Sequence, residues 1–170
     1  CCVPFGAFNI TANAATSGTT GDCTWSLDGT VLTISGNGKM ADYWNGGDKA
    51  PWGTSITQVI FEDGITRIGE YSFYDCTLIE SITIPQSVTH IGASAFLGCS
   101  SLQNVEIGNG VTNIEKSAFC RCTSLKTVTL PDSLTTLSYN MFEDCYNLKK
   151  VKLGNAVKTI GKAAFYDCYE

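Results

Sequence analysis

Ile91-Gly92-Ala93-Ser94-Ala95-Phe96-Leu97-Gly98-Cys99-Ser100-Ser101-Leu102-Gln103-Asn104-Val105-Glu106-Ile107 is the stretch that decides the fold. Its apolar residues return every 23 positions. Phe recurs at Phe73, Phe96, Phe119, Phe142 and Phe165, and Cys at Cys76, Cys99, Cys122, Cys145 and Cys168. Five more columns keep the step, opening at Ile56, Val59, Phe61, Ile65 and Ile68 and closing at Leu148, Val151, Leu153, Val157 and Ile160. Residues 56–170 thus divide into five units, 56–78, 79–101, 102–124, 125–147 and 148–170. A fixed period of this length marks a solenoid, in which one coil cannot bury its apolar edge but stacked neighbours can.

Each unit reads as two pieces. The first, Leu102 to Ile107, ends in alternating apolar residues and is followed by turn residues: Pro85-Gln86, Gly108-Asn109-Gly110, Pro131-Asp132 or Gly154-Asn155. That is a short strand closed by turn chemistry. The second, Ile91 to Cys99, places apolar residues at i, i+4, i+5 and i+8, which predicts a short helix or 3₁₀ segment on the return. The expectation is an α/β solenoid, with a parallel sheet on the concave face and helical segments opposite.

Residues 16–55 lack the period. Trp25 to Ile34 around Asp28-Gly29 predicts a β-hairpin with a type I′ turn, forming an N-terminal cap over the first unit. The Gly-rich stretch from Gly36 to Gly53 carries Tyr43, Trp44 and Trp52, expected to pack on the first unit, with a sugar platform of Trp44 and Trp52 as the alternative. Residues 1–15 read as the back half of a secretory signal ending at Ala12-Asn13-Ala14, or as a disordered extension. The sequon Asn9-Ile10-Thr11 lies inside it. The fifth unit ends without a cap, so further repeats or domains are expected C-terminally, or a covering molecule.

Ile-Gly-x-x-Ala-Phe-x-x-Cys-x-x-Leu-x-x-Val-x-Ile, read from Ile91 to Ile107, with the turn Ile84-Pro85-Gln86-Ser87-Val88, resembles the BspA-type leucine-rich repeat. Glu115 and Ser138 replace the Gly of Gly92, and Met141 replaces the Ala of Ala95. The segment from Ser17 to Gly29 resembles the leader that precedes such repeats in secreted bacterial proteins. The resemblance implies a secreted or surface-displayed module that attaches to host proteins or to neighbouring cells.

Little else points to chemistry. Apolar residues make up 44% of the chain, too many for a disordered one. The net charge of −5 argues against a nucleic-acid partner. No apolar run is long enough for membrane insertion. The acidity sits in residues 1–124, while residues 125–170 are slightly basic. The Cys column is expected to be a buried ladder of reduced thiols. Cys120 stands in a mixed column that suggests partial exposure, and Cys120-Arg121-Cys122 lacks the second pair a metal site needs. His90 shares a polar column with Arg67, Asn113, Thr136 and Thr159, so it reads as solvent-facing rather than a base. No catalytic residue, metal site or cofactor is expected.

That leaves the outward side of the strands. If Val105 and Ile107 point in, two columns point out: Gln58, Ser81, Asn104, Thr127, Lys150 and Ile60, Thr83, Glu106, Thr129, Lys152. They differ from unit to unit while the inward columns hardly change. The expectation is a protein- or glycan-binding surface with a basic end at Lys149, Lys150 and Lys152, or else an ordinary solvated face on an architectural spacer.

Overall fold

The computed structural model describes residues 16–169. The suspected signal segment and the Asn9 sequon lie outside them. The chain opens with β1 (Ser17–Thr20), β2 (Cys23–Asp28) and β3 (Val31–Gly36), an antiparallel meander. The hairpin is present, but its turn is one residue out of the expected phase. Asp28 pairs with Val31, leaving Gly29 and Thr30 as the loop, and only Gly29 has positive φ (59°). One positive φ at the first loop position fits type II′, not the type I′ expected from Asp-Gly.

β3 then departs from a simple cap. It pairs in parallel with β5 (Gln58–Phe61), aligning Leu32 with Val59 and Ile34 with Phe61. The two-residue β4 (Gly38–Lys39) likewise pairs with β6 (Ile65–Ile68). Residues 31–53 therefore wind as a coil of their own, and the first repeat finds the backbone partners a repeat would supply.

The repeats follow as β7 (Ser81–Ile84), β9 (Asn104–Ile107), β11 (Thr127–Thr129) and β13 (Lys150–Lys152), one continuous parallel sheet. Register is fixed at one repeat per step: Ile82, Val105, Val128 and Val151 are consecutive partners. A slip by one residue would turn every apolar side chain to solvent, so the pattern enforces this pairing. Each coil also makes a second short strand, which the sequence reading did not separate from the return. These are β8 (His90–Ile91), β10 (Asn113–Ile114), β12 (Thr136–Leu137) and β14 (Thr159–Ile160). β4, β6, β8 and β10 form one sheet, and β12 pairs with β14.

The expected helices are absent: no described residue is in a helix, and the fold is a β-solenoid rather than α/β. Two columns of left-handed residues explain why. Tyr71, Ser94, Ser117, Asn140 and Ala163 have φ of 52–57°, and Asp75, Gly98, Arg121, Asp144 and Asp167 have φ of 53–79°. Left-handed residues do not propagate a helix. The amide groups instead alternate. Those of Ser94, Phe96 and Gly98 donate to Lys116, Ala118 and Cys120 of the next coil at 2.9–3.0 Å. Those of Ala95, Leu97 and Cys99 donate back to Gly92, Ser94 and Phe96 at 3.2–3.3 Å. Both kinds of bond recur in the following coils, so the return is a third inter-coil ladder made of turns. The apolar spacing that suggested a helix is equally the spacing of these turns.

The core is a column of rings. Phe73, Phe96, Phe119 and Phe142 are fully buried and Phe165 half-buried, stacked with centroids 5.1–5.8 Å apart and planes within 10°. Trp52 begins the stack, 5.7 Å from Phe73, with its indole N–H donating to the Ser72 carbonyl at 3.0 Å. Trp25 and Tyr43 meet Trp52 edge-on, and the Tyr43 hydroxyl donates to Thr20 at 2.8 Å.

Close stacking also dictates the corners. Along the turn column Pro85, Gly108, Pro131 and Gly154 alternate. A Cβ at Gly108 would sit 2.7 Å from the Pro85 carbonyl oxygen, and one at Gly154 would overlap the backbone of Pro131. Each glycine leaves room for the proline corner of the coil before it. Gly154→Ala is expected to destabilise by about 1–3 kcal/mol, seen as a lower urea midpoint. A change within error would show that the corner yields freely.

Candidate functional site

The ten outward positions lie where the alternation places them. Gln58, Ile60, Ser81, Thr83, Asn104, Glu106, Thr127, Thr129, Lys150 and Lys152 are all exposed, while their strand neighbours Val59, Ile82, Val105 and Val128 are buried. The sheet brings eight of them together as two parallel rows. Ser81, Asn104, Thr127 and Lys150 are register partners, as are Thr83, Glu106, Thr129 and Lys152. Gln58 and Ile60 sit on β5, which belongs to the sheet of the cap. Where that sheet meets β7, a depression of about 260 Å³ opens, lined by Gln58, Ile60, Ser81, Thr83 and Pro85. A second, of about 200 Å³, lies at the basic end between Thr129, Pro131, Asp132 and Lys152. Charge is graded across the face: Glu106, 3.5 Å from the Thr83 hydroxyl, occupies the middle and Lys150 and Lys152 the last strand. Ile60, 41% exposed, is the one large apolar side chain among the ten.

The cysteines of the described residues are packing residues. All seven in the described region are free. In the column, the thiols of Cys99, Cys122, Cys145 and Cys168 donate to the carbonyls of Phe73, Phe96, Phe119 and Phe142, one coil back, at 3.2–3.3 Å. A small apolar side chain that still carries a weak donor suits that spot. Burial pushes the Cys76 thiol up to about 12 and those of Cys99 and Cys122 well above their ordinary value. A thiol held protonated is a poor nucleophile. Cys120 is corrected: it is buried, not partly exposed, with its sulfur 3.8 Å from a Glu143 carboxylate oxygen. Burial, then the Glu143 charge, raises it to about 12. Among the described residues no group of His, Cys, Asp or Glu could hold a metal ion. His90 is half-buried, between Arg67 and Asn113 in register, with Nδ1 3.5 Å from the Thr89 hydroxyl.

The tryptophans divide differently from the expected platform. Trp52 is 4% exposed and part of the core, so it cannot share a surface with Trp44, which is 60% exposed. Trp44 meets Tyr71 edge-on at 6.0 Å, and Tyr71 meets Tyr74 at 5.8 Å. Between these rings and the cap loop lies a cleft of about 290 Å³, edged by Asn45, Lys49 and Asp75. The sequence reading missed this cluster. Its signal is a break in pattern. The columns of Tyr71 and Tyr74 read Ser94, Ser117, Asn140, Ala163 and Leu97, Cys120, Glu143, Tyr166 in later coils, so the first coil alone has an aromatic pair there.

Residues 47–170 match the profile of the BspA type leucine rich repeat region in six copies. The chain belongs to the BspA-type leucine-rich-repeat family. The match begins nine residues before Ile56, inside the stretch that the missing period assigns to the cap. Solved structures of bacterial leucine-rich-repeat proteins resemble this BspA-type solenoid. A leucine-rich repeat protein from Eubacterium ventriosum is 26% identical with a TM-score of 0.66, over 86% of this chain and 44% of that one. A leucine rich cell surface protein from Faecalibacterium prausnitzii is 27% identical with a TM-score of 0.63, over 92% and 53%. The leucine rich repeat protein of T. pallidum is 29% identical with a TM-score of 0.65, over 89% and 67%. The chain thus spans about half the length of the first two. No curated protein sequence matches it. No helix among the described residues is long and apolar enough to cross a membrane.

Proposed function

We propose that this BspA-type repeat protein is an extracellular binding module, secreted or displayed on the cell surface, whose concave sheet face attaches it to a protein or glycan of a host or neighbouring cell. The observation that carries the reading is the contrast along each strand. Inward columns repeat nearly the same residue, while the ten exposed positions run from Gln58 and Ile60 to Lys150 and Lys152 with little repetition. Packing alone asks nothing of those ten. The F. prausnitzii neighbour, named as a cell surface protein, supports the location.

The basic end is the part with a definite partner chemistry. Lys150 and Lys152 on one three-residue strand favour an acidic ligand patch. Lys150→Glu with Lys152→Glu is expected to weaken binding to immobilised extracellular-matrix proteins by about tenfold or more, and to weaken its salt dependence. Binding unchanged by the double substitution would remove that end of the face from the site.

A second reading has its own observation. No aromatic residue stands in either column, although aromatic anchors dominate strong interfaces. In that reading the solenoid is a spacer holding another part of a larger surface protein away from the cell. An appended catalytic or effector domain in the full-length sequence would favour the spacer, and a wall anchor or sorting signal would favour surface display.

A further inference from the structure

The cleft beside Trp44 is separate from the exposed sheet face: none of the ten sheet residues lines it. We propose that it is a second ligand site, which takes one uncharged pyranose ring of a glycan. The first argument is the exposed indole. Trp25 and Trp52 are 3% and 4% exposed, while Trp44 keeps 60% of its surface in water. It is nevertheless held in position. Its amide donates to the Asp48 carbonyl at 2.8 Å, the Gly47 amide closes the turn onto its carbonyl at 3.3 Å, and its ring packs edge-on to Tyr71. Gly46 makes room for the ring, since a Cβ there would lie 2.5 Å from Nε1. A large apolar surface fixed before any partner arrives loses little freedom on binding.

Shape and charge select the ligand. A space of about 290 Å³ is at the lower end for small-molecule sites and matches one ring better than a peptide segment. Trp44 and Tyr71 are inclined at 69° and Tyr71 and Tyr74 at 60°, so these lining rings do not form a parallel-walled slot. A flat nucleobase gains most between two parallel walls, which these inclined rings do not supply. A chair-form pyranose offers an apolar C–H face to one wall and directs hydroxyls outward around its edge. Asn45, Thr54 and Asp75 stand at that edge as hydrogen-bonding partners. Lys49 and Asp75 oppose each other in sign, so the rim favours a neutral polar ligand over an ion.

Saturation-transfer NMR on the whole chain tests this with the methyl pyranosides of glucose, galactose, mannose and N-acetylglucosamine, and with sorbitol as the open-chain control. At least one pyranoside is expected to receive saturation at its ring C–H protons with millimolar affinity, above sorbitol. Trp44→Ala should weaken that affinity about tenfold, and so should Tyr71→Asn. Asn accepts the left-handed backbone of position 71 and already occupies the same column at Asn140. Lys150→Glu with Lys152→Glu should leave the transfer unchanged, which separates this site from the concave face. No transfer above sorbitol, or transfer that persists in both aromatic variants, would overturn the proposal.

Discussion

Phe119→Ala is expected to lower the unfolding free energy by about 3–5 kcal/mol, the usual cost of emptying a buried aromatic site. Phe119 is fully buried, with Phe96 at 5.3 Å on one side and Phe142 at 5.8 Å on the other. The surrounding ladders hold the coils at a fixed spacing, so the gap has little room to collapse. A domain of ordinary stability has about 5–15 kcal/mol in total, so a single truncation removes a large share. Nearest-neighbour stacking adds a second effect. The interfaces on both sides of the third coil weaken together, and the urea transition should broaden as the two halves lose their coupling. Phe165→Ala should cost less, since Phe165 is only half-buried with one ring neighbour. Equal losses at the two positions would mean that the stack does not carry the core.

The second large effect is alkaline. Burial raises the folded-state value of Cys76 and Cys120 from 9.0 to about 12, and those of Cys99, Cys122 and Cys145 also rise. The folded value lies above the unfolded one, so the stabilisation is complete below about pH 9. It is lost as the pH rises through the folded values, because the unfolded chain sheds these protons first. Each such thiol costs about 1.4 kcal/mol per pH unit above its unfolded value. All five shift in the same direction, so their losses add and the fall above pH 9 is steeper than any single thiol would give. The urea midpoint should be flat up to about pH 8.5 and then fall steeply, with thiol reactivity appearing only as the coils open. Cys122→Ala should make that fall shallower. An unchanged slope in this variant would place the alkaline loss elsewhere.

The period made much of this structure legible. The Phe and Cys columns located the core, and alternation around Val105 told inward from outward on every strand. All ten residues read as outward are exposed for that reason. What stayed hidden depends on backbone conformation, which apolar spacing does not encode. Ile91 to Cys99 satisfies a helical stripe and a run of turns equally well. Only left-handed Ser94 and Gly98, recurring at Tyr71, Asp75, Arg121 and Asn140, decide between them. Residue type hints at this for Gly98 and Asn140 but says nothing for Tyr71 or Arg121. The burial of Cys120 was not legible because its column mixes Tyr74, Leu97, Glu143 and Tyr166; in the fold its sulfur lies 3.8 Å from the Glu143 carboxylate, which accepts from the Asn140 side-chain amide at 2.5 Å. The aromatic cleft combines residues of the aperiodic cap with those of the first coil, a meeting that no column predicts.

The ladder of turns has a mechanical consequence. Every inter-coil hydrogen bond, in both kinds of sheet and in the return, joins one coil to the next and so lies along the axis of the stack. Tension between the two ends loads these bonds lengthwise, and the coil at an end has a neighbour on one side only. Failure therefore starts at a terminus and advances coil by coil, each step freeing 23 residues, roughly 80 Å of extended chain. Under pull such a molecule lengthens in instalments, with a sawtooth force trace, and the coils not yet reached keep their outward faces intact. A solenoid built this way absorbs a sudden load without giving up its whole surface at once.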